Sequence, residues 1–206
     1  MKLFKTTYDE SYFNTVLDSN PLLKKDIEQK VHLIKSYKKR GRLLEIGCGS
    51  GVLLNKLKDD FDVFGIDISE YAIKKACEKI DKEELKVLNI GKEDINGNFD
   101  VIIAFDVMEH LKNPDKVIKK IKKLLIKDGI FIFSVPNNYG IFGRFMTNIF
   151  NFIDKTHVST FRREKWINLL KQNNFNIEIL NHGLFGYEKK DFAKHFSFNL
   201  VVISNL

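Results

Sequence analysis

Glu45, Gly47, Gly49 and Gly51 occupy alternate positions in "LLEIGCGSG", residues 43–51. A carboxylate two places ahead of three glycines, between two apolar runs, suits a chain that bends tightly while a ligand lies against its backbone. Gly47 and Gly49 permit unusual dihedrals and close approach, and Gly51 lets the next helix pack closely. Dinucleotide-binding turns use G-x-G-x-x-G, which needs glycine at 52, where this chain has Val52. Asp67 ends the next apolar run, "DVFGID" at 62–67. A carboxylate there offers two acceptor oxygens at a separation that matches two ribose hydroxyls. Farther on, Asp106, Glu109 and His110 form D-x-x-E-H. On one helical turn these side chains share a face, which suits either a metal ion or a carboxylate–imidazole brace. Cys48 reads as a small loop residue rather than a nucleophile.

The elements that position these residues alternate between strand and helix. Short apolar runs at 42–46, 62–67, 85–90, 99–105, 130–136, 176–180 and 197–204 read as strands. Helical spacing covers 51–60, 69–80 with Ser69 as N-cap, 113–129 with Pro114 in the first turn and Gly129 as the stop, and 162–175. Such alternation implies right-handed crossovers and a mostly parallel sheet covered on both faces. Residues 5–40 read as one or two helices on the sheet's edge, a cap over 1–40. No repeat or low-complexity linker divides the chain, so 1–206 is read as one domain.

Composition narrows the function classes. Hydrophobic residues at 44% and charged ones at 30% describe a soluble globular chain. Cys48 and Cys77 have no metal-ligand spacing, which points to a reduced, cytoplasmic protein rather than a disulfide scaffold. The start "MKLFKTTYDE" has no apolar signal core, and no run reaches the roughly 18 apolar residues of a membrane span. The net charge of +7 is spread over lysine-rich helices, so it makes no nucleic-acid groove. It suits approach to an anionic membrane surface.

Four blocks taken together carry a resemblance: "EIGCGSG" at 45–51, "VFGIDIS" at 63–69, "FDVIIAFDVMEHL" at 99–111 and "SVPN" at 134–137. Their order and spacing resemble the class I S-adenosylmethionine-dependent methyltransferases. "HVSTFRREKWINLLKQNNFNIEIL" at 157–180 is similar to the small-molecule, ubiquinone-pathway-like branch. The resemblance implies a Rossmann-like seven-stranded mixed sheet, order 3-2-1-4-5-7-6, with strand 7 antiparallel and helices on both faces. It places Gly47, Cys48 and Gly49 against the methionine part of S-adenosylmethionine. Glu45 would orient the loop or meet the amino group, Gly51 would be the packing glycine, Asp67 would hold the ribose and Ile68 would lie on the adenine face. Phe105 would lie beside the methionine moiety, and backbone near Lys92 would meet the adenine, because Gly91 stands where the family often has Asp. The D-x-x-E-H block resembles the E-x-x-E-H metal site of ubiquinone-pathway O-methyltransferases, with Asp in place of the first Glu. We read it as a brace and expect no metal.

The implied reaction is methyl transfer to an oxygen of a small or lipid-like acceptor, with no nucleic-acid substrate. Alternatives are a non-catalytic S-adenosylmethionine-binding protein and a nucleotide-dependent oxidoreductase. Candidate bases are His110, His157, Asp154 and Tyr139, with His157 ranked first because it follows the segment after strand 5. Residues 137–157, "NNYGIFGRFMTNIFNFIDKTH", are unusually apolar for a loop and read either as an insertion that packs on the N-terminal helices and extends the core or as a lid walling the acceptor site.

Overall fold

The computed structural model describes residues 21–136, 158–159, 161–183, 186–188 and 199–205. Helix α1 (Pro21–Tyr37) leads into β1 (Gly41–Ile46), α2 (Val52–Leu57), β2 (Phe61–Asp67), α3 (Glu70–Ala76), β3 (Leu85–Val87), β4 (Phe99–Phe105), α4 (Pro114–Leu124) and β5 (Leu125–Pro136). Then come α5 (Arg163–Gln172), β6 (Asn176–Gly183), β7 (Gly186–Glu188) and β8 (Asn199–Asn205).

The strands form an eight-stranded sheet ordered β3-β2-β1-β4-β5-β8-β6-β7. The pairs among β1 to β5 are parallel, whereas β8 runs antiparallel to both β5 and β6. This is the Rossmann-like, mainly parallel arrangement expected. It departs from the seven-strand order by one strand: the short β7 returns antiparallel on β6 and becomes the sheet's edge.

Strand side chains alternate between two cores, as the period of two requires. Leu43, Val101, Ile103, Ile130 and Ile132 face α1, α2 and α3, where Leu33, Ile34, Leu54, Leu57, Ile73 and Ala76 are buried. Leu44, Ile102, Ala104, Phe131 and Phe133 face α4 and α5, meeting Val117, Ile118, Ile121, Trp166 and Leu170. Helix α1 therefore covers a face of the sheet rather than its edge. Its residues Leu33 and Ile34 are 5% and 0% exposed.

Helix α4 stops earlier than Gly129. Leu125 already pairs with Phe99 on β4, and the register shifts before Val101 meets Ile130. Asp128 takes a left-handed backbone with φ 62°. At Gly129 a β-carbon would lie 2.9 Å from the Ile126 carbonyl oxygen, so glycine serves this irregular strand and not a helix end. The cap 1–40 is described only from residue 21, and the apolar segment 137–157 lies outside the described residues.

Candidate functional site

The site forms at the carboxyl ends of β1, β2 and β4. As β1 ends, Gly47 turns left-handed with φ 75°, and a β-carbon there would collide with the Val107 side chain. Both Gly47 and Cys48 donate their N–H to the Ile66 carbonyl, at 2.7 and 3.1 Å, which stitches the loop to β2. Asp67 completes the stitch. Its Oδ2 accepts from the Gly49 N–H and its Oδ1 from the Ser69 N–H, each at 2.9 Å. Ser69 in turn caps α3 by accepting from the Ala72 N–H at 3.2 Å. One carboxylate thus fixes the glycine loop against the start of α3. Burial pushes the Asp67 carboxyl up, against the pull of these backbone donors.

A cavity of about 420 Å³ opens beside this loop. Glu45, Gly47, Cys48, Gly49, Asp67, Ile68 and Phe105 all line it, from among the residues singled out in the sequence. Ile68 is 57% exposed, an apolar side chain held out at the wall. Gly51 lies beneath the loop, where a β-carbon would sit 3.0 Å from that of Ala76. Lys92 is exposed and does not reach the cavity. The chain turns at Asn89, whose side chain accepts from the Gly91 N–H at 3.0 Å while its carbonyl accepts from Lys92 and Glu93. That turn carries Lys92 outward and leaves Leu88, Asn89 and Ile90 on the wall. An Asx turn in "LNIGKED" is the signal that locates Asn89.

Lys30 of α1 also lines the cavity, and sequence reasoning passed it over. Its side chain is 14% exposed, paired with Asp26 at 2.8 Å and with Asp106 at 3.9 Å. The ammonium stands 4.9 Å from the centre of the Phe105 ring. Burial works to lower its pKa, but Asp106, Asp26 and Glu45 together outweigh that and raise it. Lys30 falls three residues after Ile27 and four before Ile34, on the helix's inward stripe. A lysine on an apolar stripe was the available clue.

Glu45 is the opposite case. It is 6% exposed, and among the described residues its Oε2 accepts no hydrogen bond. Burial pushes its carboxyl up to about 8; Lys30 opposes the shift and Asp67 adds to it. The Cys48 thiol is pushed up as well, by burial and then by Glu45 and Asp67, so it is no nucleophile.

The D-x-x-E-H residues do not share one helical face. Asp106 has a left-handed backbone, φ 56°, ahead of a single 3₁₀ turn at Met108–His110. Its N–H donates to Ser134 Oγ at 3.0 Å, and the Ser134 hydroxyl donates back to Oδ1 at 2.7 Å. Glu109 is 2% exposed, and its carbonyl accepts from the Val158 and Ser159 N–H groups. Among the described residues, no three His, Cys, Asp or Glu gather where a metal could bind. His110 lines the cavity. His157, Asp154 and Tyr139 lie outside the described residues.

A family profile described as a methyltransferase domain matches residues 22–179, most of the chain. The chain belongs to this methyltransferase domain family. Ubiquinone biosynthesis O-methyltransferase of Coxiella burnetii is 32% identical over 125 residues, covering 57% of this chain and 51% of that one. The Glaesserella parasuis protein of the same name is 30% identical over 148 residues, 66% of this chain and 61% of its own. The chain thus spans about half the length of the curated relatives it matches. An S-adenosylmethionine-dependent methyltransferase from Archaeoglobus fulgidus superposes with a TM-score of 0.74 at 17% identity, covering 96% of this chain and all of its own. The N-methyltransferase NodS of Bradyrhizobium japonicum, in complex with S-adenosyl-L-homocysteine, gives 0.66 at 21% identity, over 91% of this chain and 89% of NodS. At these identities the structural likeness establishes the fold.

The cofactor of this methyltransferase family is S-adenosylmethionine, and the residues present fit it. The buried Glu45 oxygen lacks a donor that an α-ammonium would supply. Asp67 and Asp106 outnumber Lys30 on the lining, and Glu45 adds a further negative charge once ionised, so the wall favours a ligand carrying positive charge. Ile68 offers an apolar face to an aromatic base.

Proposed function

We propose that the chain transfers the methyl group of S-adenosylmethionine to a small or lipid-like acceptor, at oxygen. The observation that carries this is Glu45 with its unmet buried oxygen, on the wall of a cavity also lined by Gly47, Gly49, Asp67 and Ile68. The bound cofactor supplies a methyl group already activated on a sulfonium sulfur, so no protein nucleophile is required. Glu45 would receive the ammonium, Asp67 would use its remaining lone pairs on the ribose, and Ile68 with Leu88 and Ile90 would flank the adenine. Phe105 and Lys30 would close the methionine end. The protein's work is then to align an acceptor with the methyl group and to exclude water. The names of the curated relatives support oxygen as the acceptor atom. We propose the apolar segment 137–157 as the acceptor's wall, which favours aromatic, isoprenoid or acyl-bearing molecules, and His157 as a base or positioning donor. No described helix is long and apolar enough to cross a membrane. A lipid-like acceptor would be met at the surface by the basic helices.

Calorimetry with S-adenosylmethionine and with NADH, followed by incubation with an alkylcatechol and mass spectrometry, tests the reading. Binding of the first cofactor alone and a methyl ether product are expected. Binding of NADH in its place would restore the oxidoreductase alternative, and binding without any product would favour a non-catalytic role.

Turnover is expected to survive chelation by EDTA, because Asp106 is engaged by Lys30 and Ser134 and Glu109 is buried. Activity lost on chelation and restored by magnesium or zinc would make these residues ligands.

A further inference from the structure

We propose that Lys120 is a positioning residue of the cofactor cavity: from the middle of α4 it holds the loop at 88–91 at the distance from Leu111 that admits a purine ring. The inference rests on the proposed place of the adenine against Ile68, Leu88 and Ile90, and adds the group that sets this part of the cavity. The ammonium of Lys120 has three hydrogens and meets three acceptors. It donates to the Ile90 carbonyl at 3.0 Å and to the Glu93 carbonyl at 2.6 Å, and it pairs with Asp94 Oδ1 at 2.9 Å. Its side chain is 14% exposed. That of the neighbouring Lys119 is 61% exposed and pairs with Asp115 one turn back on the same helix. Asp94 is itself exposed, so its ion pair counts for little, and the two carbonyls make the contact.

Ile90 lines the cavity together with Leu88 and Asn89. The Asn89 carbonyl accepts from the Lys92 and Glu93 N–H groups, and Glu93 Oε1 accepts from the Asn89 N–H at 2.9 Å. These bonds close the turn on itself. The Leu88 N–H donates to the Asp67 carbonyl at 2.8 Å, which ties the start of the loop to β2. Lys120 ties its far side to α4. The opposite side of the cleft comes from the same helix. Val107, His110 and Leu111 line the cavity and lead into Asn113, whose side chain caps α4 by accepting from the Lys116 N–H at 3.1 Å. A β-carbon at Gly91 would lie 3.9 Å from Leu111 Cδ2, so the two sides approach each other there. Helix α4, anchored by the buried Val117, Ile118, Ile121 and Leu124, thus carries one side at its start and grips the other through Lys120. One rigid element fixes the spacing, so the ligand need not order the loop.

The decisive substitution is Lys120→Met, which keeps an unbranched stem and good helix propensity while removing every donor. Calorimetry is run well below the melting temperature, with S-adenosylhomocysteine and with methylthioadenosine, which lacks the amino-acid end. Lys120→Met is expected to weaken both by the same factor, about fivefold, as the loop must then be ordered by the ligand. Amide hydrogen exchange over residues 88–95 should quicken in the ligand-free variant. Lys119→Met, the same change on the next residue, should alter neither affinity nor exchange. Unchanged affinities in a folded Lys120→Met protein overturn the proposal even if its melting temperature falls, since Lys120 would then serve stability alone. A loss confined to S-adenosylhomocysteine also overturns it, because the effect would then lie at the amino-acid end. So does exchange over 88–95 that stays as slow as in the wild type. Should the methionine variant not fold, Lys120→Gln, too short to reach both carbonyls, carries the same expectations. A wild-type protein that binds neither ligand would instead remove the cofactor reading itself.

Discussion

Alanine at Asp67 is expected to raise the dissociation constant for S-adenosylmethionine by about 10- to 150-fold. Each hydrogen bond to a charged group is worth about 1.5–3 kcal/mol, and one such loss gives that range. Two losses coincide here. The ribose would lose a carboxylate acceptor, and the Gly49 and Ser69 N–H groups would lose the bonds of 2.9 Å that hold the glycine loop against α3. The upper part of the range is therefore the better expectation. Asp67→Asn tells the two roles apart. An amide has one oxygen, so its NH₂ must face one of those backbone N–H donors, and the loop cannot be held as before. The asparagine variant should bind almost as poorly as alanine. Calorimetry on variants with wild-type circular dichroism checks this. Unchanged affinity in Asp67→Ala removes Asp67 from the site, and full affinity in Asp67→Asn removes its role in bracing the loop.

Asp67 was legible in the sequence because its position follows from chain-local facts. An apolar run ends there, and a capping serine opens a helix two residues on. The glycine loop was legible for the same reason, since three alternating glycines stand between an apolar run and a helix start. What the sequence hid depends on packing between distant elements. Lys30 sits 15 residues before Glu45 on a helix read as an edge cap; only the placement of α1 over the sheet's face brings the two to one wall. Lys92 was placed from Gly91, which stands where the family often has Asp, and the Asx turn at Asn89 carries Lys92 off the cavity wall. The three residues of β7 are too few for any period to show, so the eighth strand could not be read. The end of α4 was missed because "LLIKDG" continues an apolar, lysine-rich pattern. The ladder to Phe99 takes Leu125 instead. For D-x-x-E-H the spacing suggested one helical face, and a single left-handed residue, Asp106, undid it.

Glu45→Gln should stabilise the ligand-free protein at alkaline pH while costing it the cofactor. The Glu45 carboxyl is fully buried, and its pKa is raised from 4.5 to about 8, because burial disfavours the charge more than Lys30 favours it. A raised pKa means that the folded state holds the proton more tightly than the unfolded chain. The stability from this group is fully present below about pH 4.5 and is lost progressively as pH rises to about 8. At about 1.4 kcal/mol per unit, the loss is on the order of 5 kcal/mol. Glutamine is neutral throughout, so wild type and variant should melt alike near pH 5 and diverge by pH 9, with the variant the more stable. Cofactor binding runs the other way. An ammonium beside Glu45 favours its ionised form, so binding near pH 7 should release a proton, and affinity should rise with pH until about 8. Calorimetry in buffers of different ionisation enthalpy counts that proton. In Glu45→Gln the release should vanish and affinity should fall about tenfold or more, as for a lost charge-assisted hydrogen bond. Parallel melting curves for wild type and variant from pH 5 to 9, or proton release that persists in the variant, would show that the buried carboxyl neither stores this instability nor meets the cofactor.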